Sequence, residues 1–217
     1  MAYQFTAASS RHLSTASAPA TTFPVTLACW FQLTNTGNNT ALVVLQDADT
    51  QSRLQITNNG STSPKRALQA TYFDSAGFFG RIGINESAYS TNTWYHAAGV
   101  FASTSDIDAY FNGSAGFQDI QSPRTLSGID QMLIGARRAA SLGQYHDGLI
   151  AEVGIWNVAL TQPEIASLAA GYTCDKVRPQ SLVFYAPLCR DLIDVKGGLT
   201  ITNNNSATVA NHPRVYA

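Results

Sequence analysis

Residues 148–171 read GLIAEVGIWNVALTQPEIASLAAG, and the hydrophobic period changes once within them. Residues 149–156 form a short apolar segment closing on Trp156, the pattern of a β-strand. A helix follows, and its start is well signalled. Thr161-Gln162-Pro163-Glu164 is a capping box: the Thr161 hydroxyl accepts the Glu164 N–H while the Glu164 carboxylate reaches back to the Thr161 N–H. Pro163 occupies the first turn, where a missing N–H costs little. Leu160 and Ile165 flank the cap as a hydrophobic staple, and Ile165, Leu168 and Ala169 form an apolar stripe. Gly171 is placed to end the helix. This single short helix, predicted over residues 162–170, belongs against one edge or end of a β structure.

Outward from this stretch the chain is a series of short alternating segments separated by turn residues, the all-β signal. In residues 26–33, Leu27, Cys29, Phe31 and Leu33 share one face. Residues 41–45 are an apolar run and residues 53–57 alternate, followed by an expected turn at Asn58-Asn59-Gly60. Residues 67–73 and 78–84 flank Asp74-Ser75-Ala76-Gly77, a hairpin loop. Residues 94–101 and 107–111 follow, and Asn112-Gly113 closes the latter tightly. Residues 132–134, 182–187 and 199–202 complete the series. With no Pro/Ser-rich linker between these segments, the economical reading is one domain over residues 1–217. That domain is an all-β, two-sheet antiparallel jelly-roll sandwich with one short helix.

Composition narrows the function. Only 12% of the 217 residues are charged and the net charge is −1, which excludes the clustered positive excess that phosphate binding needs. Nucleic acid and polybasic membrane contact are therefore not expected. Polarity comes instead from 21 Thr, 19 Ser and 13 Asn, a neutral hydroxyl- and amide-rich surface. Between His12 and Gln46 no charged residue occurs, but Pro19, Pro24 and scattered Ser, Thr and Asn leave no window of roughly 20 apolar residues to span a membrane. Three cysteines are too few for a disulfide framework and show no Cys-x-x-Cys spacing. Cys29 reads as a buried thiol. Cys174 and Cys189 would bridge only if their strands are neighbours, and unbridged thiols are the expectation.

Five segments, taken in order, carry a family resemblance. FPVTLACWFQL (residues 23–33) resembles an early strand with a Trp, TWYHAAGVF (93–101) a Trp-x-His strand, and DAYFNG (108–113) a strand ending in a tight turn. QMLIGAR (131–137) resembles an Ile-Gly strand, and residues 148–171 a closing strand and capped helix. Together they resemble laminin-G-like domains of the concanavalin A-like superfamily over about residues 3–205. The resemblance implies that Trp30, Trp94, Trp156 and His96 pack in the core or between sheets. His96 shares its face with Trp94, Ala98 and Val100, the setting of a satisfied buried imidazole.

That superfamily includes glucanases, whose paired carboxylates come from a Glu-x-Asp-x-x-Glu strand because residues two apart share a face. The three glutamates here, Glu86, Glu152 and Glu164, are followed two positions later by Ala88, Gly154 and Ala166. The motif is absent, and no nucleophile elbow or phosphate-binding glycine loop replaces it; no enzyme activity is expected. His12, His96, His146 and His212 lack metal-ligand spacing. Relatives often carry Ca²⁺, and Asp106 with Asp108, or Asp47 with Asp49, are the carboxylates to consider. The relatives' Gly-x-Ile-Asp-Glu strand reads Gly148-Leu149-Ile150-Ala151-Glu152, with Ala151 where the Asp would stand.

Sugar binding is the remaining activity the resemblance implies. An aromatic platform with a few directional polar groups is the chemistry required, and Tyr72, Asp74, Phe79 and Tyr145 are the candidate ligand-binding residues. Tyr72, Phe73, Phe78 and Phe79 flank the Asp74 loop, although alternation sends about half of them inward. Five Asn-x-Ser/Thr sequons, at Asn38, Asn59, Asn85, Asn112 and Asn204, bear on this only in a eukaryotic secretory pathway. Met1-Ala2-Tyr3-Gln4-Phe5 lacks the basic region and apolar run of a signal peptide. The expectation is a protein made in a host cytoplasm and carried on the surface of a bacteriophage virion. There it would contact other virion proteins or copies of itself, with cell-surface glycans as a further ligand. A secreted extracellular carbohydrate-binding module is the alternative.

Overall fold

The computed structural model describes residues 2–49, 52–60, 67–74, 77–85, 90–119 and 126–216. In chain order the strands are β1 (Ala2–Phe5), β2 (His12–Thr15), β3 (Val25–Leu33), β4 (Thr40–Gln46), β5 (Arg53–Asn59) and β6 (Ala67–Asp74). They continue with β7 (Gly77–Asn85), β8 (Trp94–Ser103), β9 (Asp106–Phe111), β10 (Ser114–Ala115), β11 (Phe117–Asp119) and β12 (Gln131–Ile134). After β13 (Arg137–Arg138) and β14 (Leu142–Gly143) come β15 (Gly148–Trp156), helix α1 (Gln162–Ala169), β16 (Leu182–Ala186), β17 (Thr202–Asn204) and β18 (Thr208–Ala210).

Two antiparallel sheets form the sandwich. The first runs β10-β9-β8-β3-β15-β1-β18, and β16 also pairs with β15. The second runs β11-β7-β6-β5-β4-β12-β2-β17, and β13 with β14 makes a separate small hairpin. Alternation sends one face of each strand inward, and Leu27, Phe31, Leu45, Leu54, Ile56, Tyr72, Phe101 and Ile155 meet there with essentially no exposure. Ten strands, β3 to β9, β12, β15 and β16, match the expected segments within a residue or two, while β1, β2, β10, β11, β13, β14 and β18 had no expected counterpart. Two expected features differ. Asn58 and Asn59 stay in β5, paired with Leu68 and Ala67, because the β5–β6 ladder outlasts the turn propensity of asparagine. Residues 199–202 make one bridge, Ile193 with Thr200, and the strand itself begins at Thr202.

Helix α1 covers half of the outer face of the first sheet. Ile165 and Leu168 pack with Ala28, Ala98, Val100 and Leu160 over Trp156, whose indole N–H donates to the Val177 carbonyl at 2.8 Å. The other half of that face holds Trp30 and Trp94, partly exposed beside Leu149 and Ala151. The expected burial therefore holds for Trp156 but not for these two: all three face away from the other sheet, and α1 covers only Trp156. His96 is buried edge-on to Trp30, but its Nδ1 has no partner, so the imidazole is not fully satisfied. None of the three cysteines is bridged; Cys29 and Cys174 are buried and Cys189 is exposed.

The expected cap is present, with its weight on the carboxylate. Glu164 Oε2 accepts the Thr161 N–H and the Thr161 hydroxyl, each at 2.8 Å. The Thr161 side chain faces the Glu164 N–H in return, so both halves of the capping box are present. Arg178 Nε donates to the other carboxylate oxygen at 2.7 Å. Burial alone would raise the Glu164 carboxyl, but the bonds from Thr161 and Arg178 outweigh it and hold the group below its ordinary value. The cap's contribution is thus complete above the ordinary carboxylate range and is lost as pH falls through the lower folded value. Glu164→Ala is expected to cost about 1 kcal/mol at neutral pH by chemical denaturation. The difference from wild type should shrink below about pH 4; a constant difference would mean the carboxylate is not the cap.

Candidate functional site

The outer face of the second sheet is unusual in being polar and buried at once. On β5 the residues between Leu54, Ile56 and Asn58 are Arg53, Gln55, Thr57 and Asn59, all at most 5% exposed. On β6 the corresponding positions are Gln69, Thr71 and Phe73. Register sets Gln55 beside Thr71 and Thr57 beside Gln69, giving a two-strand platform of amides and hydroxyls. A groove of about 140 Å³ lies over it, lined also by Asn39, Arg137 and Gln144. Among the described residues its lining contains no carboxylate.

The walls come from elsewhere in the chain. The β13–β14 hairpin folds onto this face: Leu142 packs on Ala41, Val44 and Leu133, and the Arg138 N–H donates to Gln46 Oε1 at 2.9 Å. This placement brings Arg137 and Gln144 to the groove. Ala41 N–H donates to the Gln144 carbonyl at 2.8 Å, tying the same segment to β4. At the end of β5, a side chain on Gly60 would meet the Thr36 and Asn38 carbonyls at 2.4 and 2.5 Å. Glycine there lets the loop before β4 close down and carry Asn39 to the rim.

Hydrogen bonds hold the platform in one arrangement. Arg53 Nε donates to Gln55 Oε1 at 3.1 Å, and Gln55 Nε2 donates to Thr71 Oγ1 at 2.9 Å. The chain of donors fixes which way the Gln55 amide faces and leaves the Thr71 hydroxyl proton to be donated. The Arg53 guanidinium sits 3.7 Å over the Phe73 ring, a cation–π contact. Burial, with Arg137 adding to it, pushes Arg53 down to about 10, and burial also lowers Arg137. Both still carry their charge at neutral pH. Asn58 Oδ1 and Arg137 Nε are buried without a protein partner, so each is a directional group a ligand can satisfy.

Of the residues singled out in the sequence, Phe73 lines this groove, whereas Tyr72, Asp74 and Tyr145 are not in its lining. Tyr72 is the inward neighbour of Phe73, fully buried, with its hydroxyl donating to the Thr104 carbonyl at 3.0 Å. It has no surface to offer a ligand. Asp74 is buried at the end of the same inward row. Tyr145 follows Gln144, but its ring lies 5.8 Å from that of His12 on β2. The side chains of Phe78 and Phe79, and residue Glu86, are outside the described residues. Gln55, Thr57, Gln69 and Thr71 were missed, although their alternation with Leu54, Ile56, Leu68 and Ala70 was a readable signal. As for calcium, among the described residues no three carboxylates converge. Asp47 Oδ1 accepts the Asp49 N–H at 2.7 Å, and Asp108 is raised by burial and by Asp106. These pairs do not fit a six- to eight-oxygen cage.

A laminin-G family model described as the concanavalin A-like lectin/glucanases superfamily matches residues 7–166. The chain belongs to this superfamily. No curated protein matches it significantly. Among solved structures, it resembles the native heptameric SAP-like pentraxin of Limulus polyphemus, with 14% identity, TM-score 0.66, and coverage of 93% of this chain and 89% of that one. It also resembles a candidate carbohydrate-binding protein of Bacteroides ovatus, with 17% identity, TM-score 0.62, and coverage of 97% and 61% respectively. The CBM40 of Ruminococcus gnavus IT-sialidase bound to α2,3 sialyllactose matches at 12% identity and TM-score 0.55, over 67% of this chain and 82% of that one. At these identities the likeness concerns the fold.

His146 ties the groove's wall segment to the sandwich. Its ring is fully buried edge-on to Phe5, and Nε2 lies 3.0 Å from the Gln32 carbonyl. A carbonyl only accepts, so Nε2 carries the proton of the neutral ring. Burial drives His146 down to about 4 and His96 to about 3, outweighing, at His146, bonds to Gln32 and Leu149 and the charge of Asp147. Below about pH 6.5 the unfolded chain binds these protons and the folded chain does not. Stability should therefore fall by up to about 1.4 kcal/mol per pH unit for each histidine as pH drops from 6.5 toward those lower values. Denaturant unfolding of wild type and His146→Phe across this range checks it: the variant should lose about half of the slope.

Proposed function

We propose that this sandwich is a non-catalytic glycan-binding module whose ligand lies in the groove over β5 and β6. The observation that carries the reading is the lining itself: amides and hydroxyls on a rigid strand platform, the Arg137 guanidinium on the wall, Phe73 at one end, and no carboxylate among the described lining residues. Such a surface offers directional hydrogen bonds to sugar hydroxyls and nothing to protonate or attack a glycosidic bond. Carbohydrate-binding proteins among the structural neighbours support it. The earlier candidates Tyr145 and Asp74 then stand as flanking rather than contacting residues, and Arg137, Thr71 and Phe73 are the proposed contacts. Net hydrogen bonds worth about 1 kcal/mol each make single-site binding weak, so many copies are needed for firm attachment.

The setting we propose is the surface of a virion, where many copies are displayed beside other virion proteins. A charged fraction of 12% supports packing against neighbouring subunits with few buried charges. So do Tyr172, Ile193, Val195, Val209 and Tyr216, large apolar side chains 43–58% exposed in the C-terminal third. No helix among the described residues is long and apolar enough to cross a membrane. A secreted module with the same groove is the rival setting.

On a glycan array probed with multivalent protein, a defined set of glycans should bind. Arg137→Ala and Thr71→Val should each weaken that binding about tenfold, a loss of about 1.4 kcal/mol. Binding unchanged in both variants would remove the groove assignment. Mass spectrometry of purified particles decides the setting: presence in particles supports display on virions, and absence hands the case to the secreted module.

A further inference from the structure

The first sheet carries a second convergence of side chains, far from any use by the groove. On one edge of β15, β1 pairs as far as Ile150 and β16 takes over from Val153. Glu152 falls at this junction, where the β15–β3 register also breaks. It adopts a left-handed backbone at φ 52°, costly for a residue other than glycine, and its N–H donates to the Pro187 carbonyl at 3.2 Å. The carboxylate is buried. Oε2 accepts the Tyr185 hydroxyl, and Oε1 lies 3.0 Å from Nε2 of His212, in the segment after β18. Cys189, in the loop after β16, completes the group: its Sγ and the other two ligand atoms all lie within 4.8 Å of one another.

The imidazole defines what the cluster lacks. His212 Nδ1 lies 2.8 Å from the Pro213 carbonyl, while Nε2 faces Glu152 and, at 3.2 Å, the Pro187 carbonyl. Every one of these neighbours is an acceptor. Nε2 thus faces two oxygen atoms at once, an arrangement a bound cation would satisfy. We propose that Glu152, Cys189 and His212 form a binding site for a zinc-class divalent cation.

The donor set of imidazole, thiolate and carboxylate selects such an ion over calcium or magnesium. Bonds of about 2.0–2.3 Å put tetrahedral ligand atoms about 3.3–3.6 Å apart. The His212–Glu152 pair needs almost no adjustment, and exposed Cys189 closes the rest by turning its side chain. Ligation takes Nε2 and the Cys189 sulfur in their deprotonated forms, and any protons they carry pass to solvent. The dication is then matched by one thiolate, one carboxylate and a neutral ring, with no net charge left. Tyr185 on the far carboxylate oxygen and the Pro213 carbonyl on Nδ1–H are the supporting contacts that orient such ligands. The fourth position opens on the Cys189 side and takes water. Among the described residues this is the one such group of three. Its effect is to clamp three segments, β15, the loop after β16 and the C-terminal segment, through one ion.

The test uses untagged full-length protein titrated with zinc chloride by calorimetry and with cobalt chloride by absorption. One zinc per chain should bind and raise the melting temperature, and the cobalt complex should show a thiolate-to-metal charge-transfer band. Cys189→Ser, at an exposed position that leaves the core intact, and His212→Gln should each weaken zinc binding by at least about tenfold. No zinc uptake by the folded protein overturns the site. So does uptake unchanged in both variants, or a cobalt complex without the thiolate band.

Discussion

The β5–β6 ladder places Leu54 against Tyr72 and Ile56 against Ala70 on one side, and Gln55 against Thr71 and Thr57 against Gln69 on the other. Because the side-chain period of a strand is two, these sets cannot be chosen independently. Burying the first set against β8 and β9 fixes the second as a flat, regularly spaced row facing away from the core. A slip of one residue would put Gln55 and Thr71 into an apolar core, each at a cost of roughly 1–3 kcal/mol. The apolar core thus enforces the geometry of the polar face.

That face becomes a groove only because other segments rise around it. The β13–β14 hairpin is held on one side by Leu142, by Gln46 and by the tie from β4 to Gln144, and His146 anchors its return to the sandwich. On the other side Gly60 permits the close approach that brings Asn39 in. Water is largely kept from β5, which is why Arg53 needs both Phe73 and Gln55 as partners and why hydrogen bonds made there count for more than on an open sheet. The metal-type cluster at Glu152 belongs to the opposite sheet and rests on a different device, a break in β15 where its pairing passes from β1 to β16.

Much of this architecture was legible in the sequence. The capped helix stood in Thr161, Pro163 and Glu164, and the sandwich in the alternation of residues 26–33, 53–57 and 94–101, because local sterics and periodicity govern both. The site was less legible. Tyr72 and Phe73 are chemically similar neighbours, and only cross-strand register decides which one meets the core. Trp30 and Trp94 looked like core residues for the same reason. Arg137, Gln144 and Asn39 come from loops whose docking depends on contacts with Leu133, Val44 and the backbone near Gly60, distant in the chain. Glu152, Cys189 and His212 show no ligand spacing at all, since three separate segments bring them together.

We propose the polar row of β5 and β6 as a ligand surface, not merely a covered part of the fold. Amide chemical-shift mapping tests it most directly, with oligosaccharides titrated into isotope-labelled protein. Saturable shifts are expected at Gln55, Thr57, Gln69, Thr71, Phe73, Arg137 and Gln144, with none of comparable size around Trp30, Trp94 or Glu152. Saturable shifts confined to the first sheet, with the β5–β6 row unmoved, would contradict it.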